Sequence, residues 1–110
     1  MIPLSAETQR RIDALFPEND RERVSEHLLH ECGDNLPMVD ASYHQLAERI
    51  QFAVLKLSNG DFRRLTEQTE AAAKDWRDVL MAAGFGENLV AHLAWEPHTP
   101  SGTRGSGQQP

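Results

Sequence analysis

The segment E-H-L-L-H-E-C, residues 26–32, is the densest grouping of imidazole, carboxylate and thiol in the chain. His27 and His30 stand three residues apart, and imidazoles one helical turn apart can share a divalent cation. Glu31 lies beside them as a further oxygen donor. The order matches neither H-E-x-x-H nor H-x-x-E-H, so two ligands with a placed general base are not laid out here. On a helix Cys32 falls on the face of Val24 and Leu28, while His30 points away from it. The reading is surface histidines beside a buried thiol, with a metal site on His27 and His30 as the alternative.

A nucleophilic role for Cys32 needs a depressed pKa, from a cation nearby or a helix N-terminus. Cys32 instead follows a helix, where the macrodipole opposes a thiolate, and Glu31 and Asp34 flank it. It reads as a small core residue. Asp75 and Asp78 have the spacing of an acid–base pair, but both fall in the first turn of a helix, where capping and the dipole already favour carboxylates. The chain has no glycine-rich phosphate loop, no G-x-S-x-G and no C-x-x-C. His44, His92 and His98 have no partner at a meaningful spacing.

The charge pattern narrows the partners. The net charge is −6, and residues 1–40 hold four Arg against nine Asp plus Glu. Counterion release from nucleic acid needs clustered cations, which are missing. A helix-turn-helix reading, with Arg63 and Arg64 opening a helix after Asn59-Gly60, is disfavoured because Glu67 and Glu70 follow on that helix. No apolar run is long enough to span a membrane. The first residues, M-I-P-L-S-A-E-T, do not resemble a secretory signal. A single cysteine excludes an internal disulfide framework and suits a reducing compartment, so the expected location is cytoplasmic.

These side chains need helices to position them. Between 43 and 57, Tyr43, Leu46, Ala47, Ile50, Ala53, Val54 and Leu57 fall within an arc of about 120°. Phe52 and Leu55 land on the opposite side, so a helix near 42–58 must be covered on two faces. Ser5 is placed to cap a first helix that buries Ile12, Leu15 and Phe16 and ends at Pro17. Asn19 or Asp20 is the expected cap of a second helix, with Glu22 as reciprocal partner of Asn19 and Gly33 as its left-handed terminator. Leu36, Met38 and Val39 are too apolar for a free loop and should fold back on the core. Asp40 or Ser42, the latter with Gln45, opens the central helix, and Asn59-Gly60 stops it.

Asp61 then caps a helix whose inner arc holds Phe62, Leu65, Thr66, Thr69, Ala72 and Ala73. Lys74-Asp75 marks a restart or a bend, with Asp75 as candidate cap of a short helix carrying Trp76, Val79, Leu80 and Ala83 on one side, closed by Gly84 with Phe85 behind it. A last helix from Glu87 to about Trp95 buries Leu89 and Leu93 and leaves Trp95 pointing away from them, to cap the open end of the bundle or remain partly exposed. From Pro97 onward no aliphatic or aromatic side chain occurs, which predicts a disordered tail over 97–110 after a helical domain over 1–96.

The expected fold is all-α, a compact bundle of five to six mostly short helices. The expected function is a non-enzymatic protein–protein interaction or regulatory module, binding a protein partner or a second copy, with Phe52, Leu55 and Trp95 as candidate contact residues. It carries no cofactor, and neither nucleic acid nor membrane is an expected partner.

Overall fold

Ser5 is extended (φ −73°, ψ 162°), and its Oγ accepts the Thr8 amide at 3.1 Å, which starts helix α1, Ala6–Leu15. Every element observed in the computed structural model, which describes residues 2–39 and 44–97, is helical, and no strand occurs among them. Helix α1 buries Thr8, Arg11 and Ile12, and Phe16 follows at its end. Pro17 turns the chain, and α2 runs over Glu18–Glu31 with Val24 and Leu28 buried.

The start of α2 differs from expectation. Pro17 itself is the cap residue and no side chain caps the helix, so neither Asn19 nor Asp20 does so. Proline's fixed φ suits helix entry, and Glu18 and Asp20 in the first turn satisfy the macrodipole without a capping bond. The end of α2 differs too. Gly33 is not left-handed; Asn35 instead accepts the Gly33 amide at 2.9 Å and donates to the Glu31 carbonyl at 3.0 Å. A side-chain amide thus does the work expected of a glycine conformation. Leu36 and Val39 fold back into the core, whereas Met38 takes positive φ and stays 80% exposed.

Helix α3, His44–Ser58, has seven successive buried residues, Arg49 to Leu55. It lies against α1, α4 and the C-terminal turn. That enclosure explains why both of its faces are apolar. The expected caps Asp40 and Ser42, and Tyr43 on the stripe, lie outside the described residues. Asn59 and Gly60 both take positive φ, and a Cβ on Gly60 would sit 2.8 Å from the Leu15 carbonyl oxygen, so only glycine fits there. Asp61 Oδ1 accepts the Arg63 amide at 2.9 Å and opens α4, Phe62–Ala82.

Helix α4 is interrupted at Asp75, whose backbone is extended (φ −159°, ψ 95°) while its Oδ1 accepts the Arg77 amide at 3.1 Å. Of the restart or bend expected there, the structure has the bend, a kink inside one element, and among the described residues the α-helices number four rather than five or six. Gly84 (φ 83°) ends α4: its amide bonds to the Met81 carbonyl, the Phe85 amide reaches back to Leu80, and Phe85 is buried.

The last expected helix does not form. Asn88 Oδ1 accepts the Val90 amide at 2.9 Å, a local turn that competes with helix, and only a 3₁₀ turn, Ala91–Ala94, follows. With three residues per turn, His92 and Trp95 share a side. That side faces the core, so Leu89 (75%) and Leu93 (49%) are exposed, the reverse of expectation, and Trp95 is half-buried. The tail expected to be disordered from Pro97 lies outside the described residues apart from Pro97 itself.

Candidate functional site

The polar and aromatic side chains with the densest interactions meet where the C-terminal segment 91–96 lies across α1 and α3. Arg11, only 1% exposed, is their centre. Its Nε and Nη2 donate to the Trp95 carbonyl at 3.2 and 3.0 Å, and Nη1 donates to the Glu7 carboxylate at 2.8 Å. Its guanidinium also lies 4.1 Å from the centre of the Phe52 ring. Arg10 alongside pairs with Glu7 and Glu96, and these cations hold both carboxyls below the usual range. The sequence reading of this helix, Ile12, Leu15 and Phe16, misses Arg11; its place one residue before Ile12 and three after Thr8 is the only local signal, and nothing local identifies acceptors more than 80 residues away.

Phe52, Phe85, His92 and Trp95 form one aromatic cluster. His92 meets Phe52 and Phe85 edge-on, with centroids 5.0 and 6.2 Å apart, and Trp95 lies 6.3 and 6.4 Å from the same two rings. His92 is 4% exposed; its Nε2 is 3.6 Å from Glu48 Oε1, and its Nδ1 has no partner among the described residues. Burial pushes its pKa down, Glu48 pulls it up, and Arg49 and Arg11 add to the lowering. Arg49 is buried as well: Nη2 donates to the Phe85 carbonyl, while Nε is unpartnered among the described residues.

Ser5, Glu48 and His92 supply a hydroxyl, a carboxylate and an imidazole in one row. The row is in the wrong order for nucleophilic catalysis. The Ser5 hydroxyl donates to Glu48 and not to an imidazole, and the carboxylate stands between the other two. Ser5 Oγ is also occupied as the α1 cap. Next to it Thr8 donates to Gln51, and Gln51 donates to the Cys32 carbonyl, so the buried polar groups of α1 and α3 satisfy each other.

The candidate contact residues are placed unevenly. Phe52 and Leu55 are fully buried and Trp95 is half-buried, so they do not form an exposed patch. Arg11, His92 and Trp95 cover Phe52 from segments far off in sequence, which a helical wheel of α3 does not reveal. Among the described residues, the large apolar side chains that are exposed are Met38, Met81, Leu89, Val90 and Leu93.

His27 and His30 line an open groove of about 800 Å³ with Glu22, Glu26 and Phe62. His27 Nε2 is bonded to Thr69 Oγ1 at 2.7 Å and its ring meets Phe62 edge-on. His30 is exposed, and no set of three metal-ligating side chains converges among the described residues. Cys32 is fully buried and burial pushes its thiol pKa well up, the environment of a core residue rather than a nucleophile. Asp75 is used as a cap, and Arg63 and Arg64 are exposed, Arg63 facing Glu67 at 3.9 Å.

Among the described residues no helix is long and apolar enough to cross a membrane. No protein-family model, curated protein or solved structure matches the chain.

Proposed function

We propose that the chain is a non-enzymatic protein–protein interaction or regulatory module that presents the outer side of its C-terminal segment to a protein partner or a second copy. The observation that carries this reading is the placement of exposed apolar surface. Among the described residues, four of the five large exposed apolar side chains (Met81, Leu89, Val90 and Leu93) fall between 81 and 93. Gly86 runs against Met81, where an added Cβ would be 2.8 Å from the Met81 Cγ, so the end of α4 adjoins the stretch that leads through Leu89 and Val90 into the segment. Exposed apolar groups gathered in one region are a mark of contact surfaces. Phe52 and Trp95 then serve from behind, anchoring the segment, while Leu55 belongs to the core. The buried thiol suits the reducing conditions of a cytoplasm.

The test is solution mass against concentration, with a photo-crosslinker at Leu89 or Leu93 and, as control, at exposed Arg63. Association or crosslinking at 89 and 93 that the double substitution Leu89→Asp, Leu93→Asp abolishes supports the reading. Crosslinking no greater there than at Arg63, or association that the double variant retains, overturns it.

A further inference from the structure

His92 carries the ionisable group on the buried side of the C-terminal segment, and its surroundings favour one protonation state. From α1 the Arg11 guanidinium faces it; from α3 come Arg49 and the Glu48 carboxylate; from the stretch after α4 comes only the Phe85 ring. Both guanidiniums are already held by carbonyl oxygens of the C-terminal stretch, Arg11 by Trp95 and Arg49 by Phe85. Glu48, the carboxylate that faces His92, also accepts the Ser5 hydroxyl bond, while Glu7 and Glu96 are paired with Arg10 and Arg11. A proton on His92 therefore puts a further cation beside Arg11 and Arg49. The one carboxylate that faces it, Glu48, is already shared with Ser5, and Nδ1–H would meet no acceptor among the described residues.

We propose that segment 91–96 is a pH-operated latch, docked on α1 and α3 while His92 is neutral and released when His92 is protonated. Burial lowers the docked imidazole's pKa most, Glu48 opposes the shift, and Arg49 and Arg11 reinforce it. In the released segment the imidazole is in water, with the ordinary value of about 6.5. The docked form thus binds fewer protons, so docking is strongest above that value and weakens as pH falls below it. The weakening is at most about tenfold per pH unit and stops once the docked pKa is passed. Release uncovers Phe52 and Phe85 and frees Leu93 from its fixed placement. The latch does not depend on the interaction reading, because its signal is Trp95 itself.

Two tryptophans allow local release to be separated from global unfolding. Trp76→Phe leaves Trp95 as reporter of the segment; Trp95→Phe leaves Trp76 as reporter of α4. Between pH 7.5 and 5 the Trp95 emission should shift to the red while Trp76 emission holds, and His92→Gln in the Trp76→Phe background should abolish the shift. An unchanging Trp95 signal, joint movement of both tryptophans at one midpoint, or a transition that survives His92→Gln overturns the latch. Should His92→Gln fail to fold, NMR titration of the unsubstituted protein decides. The latch requires a His92 midpoint below about 6.5, tracked by the Trp95 indole N–H. A higher midpoint, or an indole signal that does not follow, overturns it.

Discussion

The Arg11 guanidinium donates from both Nε and Nη2 to the carbonyl oxygen of Trp95, joining the first helix to the end of the described chain across 84 residues. The two donors are the adjacent edge of a planar fork, a geometry that lysine lacks. Arg11 also sits on the Phe52 ring, so the same side chain closes one flank of the core. Arg11→Met keeps apolar volume but removes those bonds and should destabilise by about 2–3 kcal/mol, while Arg11→Lys should recover only part of it. Urea unfolding followed by circular dichroism gives the total, and Trp95 emission reports the segment. Equal stability of Arg11→Lys and the parent would show that charge alone, without the fork, holds the C-terminus.

Asp75 caps the second half of α4 from within a single element. Its extended backbone breaks the hydrogen-bond ladder, and Oδ1 satisfies the Arg77 amide left open by the break. Asp75→Ala should cost about 1 kcal/mol, and Asp75→Asn, an equally good cap, close to nothing. Chemical denaturation of the two variants checks this. A loss with Asn as large as with Ala would mean that the carboxylate's charge, and not its capping bond, stabilises the kink.

Two glycines that look alike in sequence should respond oppositely. At Gly60 the backbone has φ 82° and an added Cβ would lie 2.8 Å from the Leu15 carbonyl oxygen, an atom that cannot turn aside. Gly33 has ordinary φ, and its nearest neighbours would be at 3.8 Å. Gly60→Ala should destabilise by more than about 1 kcal/mol, whereas Gly33→Ala should be neutral or stabilising by about 0.5 kcal/mol through the unfolded chain's entropy. Thermal unfolding of the pair is sufficient. Similar losses at both positions would argue against the Asn35 cap that replaces a left-handed glycine after α2.

The glycines also show which part of the fold was readable. Asn59-Gly60, Asp61, Asp75 and Gly84 act through bonds spanning a few residues, so local pattern located them. Gly33 misled because Asn35, two residues on, satisfies the same backbone groups by another route. The segment after Gly86 misled for a different reason. Its conformation is settled by the Asn88 turn and by what Arg11, Phe52 and Phe85 accept against them, and those contacts lie outside any helical window. The same non-locality hid the site: Arg11 and His92 carry no motif, and Phe52 looked uncovered only because its cover comes from both ends of the chain.

The groove histidines yield the last prediction. Thr69 donates its hydroxyl proton to the Thr66 carbonyl at 3.0 Å, which leaves Thr69 Oγ1 as acceptor for His27 Nε2–H. Nε2 is therefore committed, and a metal would have to break this bond or use Nδ1. Added zinc should leave the melting temperature of untagged protein unchanged; a zinc shift that disappears in His27→Ala, His30→Ala would instead establish a metal site. Burial lowers the His27 pKa, against the pull of Glu31 and Glu70. The folded chain thus binds fewer protons here than the unfolded one, so the stability that neutral His27 contributes is present above about pH 6.5 and declines as pH falls below it. Since His92 is shifted the same way, stability should fall between pH 7.5 and 5.5, and His27→Gln should reduce that fall without removing it. A parent protein equally stable at both pH values would mean that neither imidazole is held neutral by the fold.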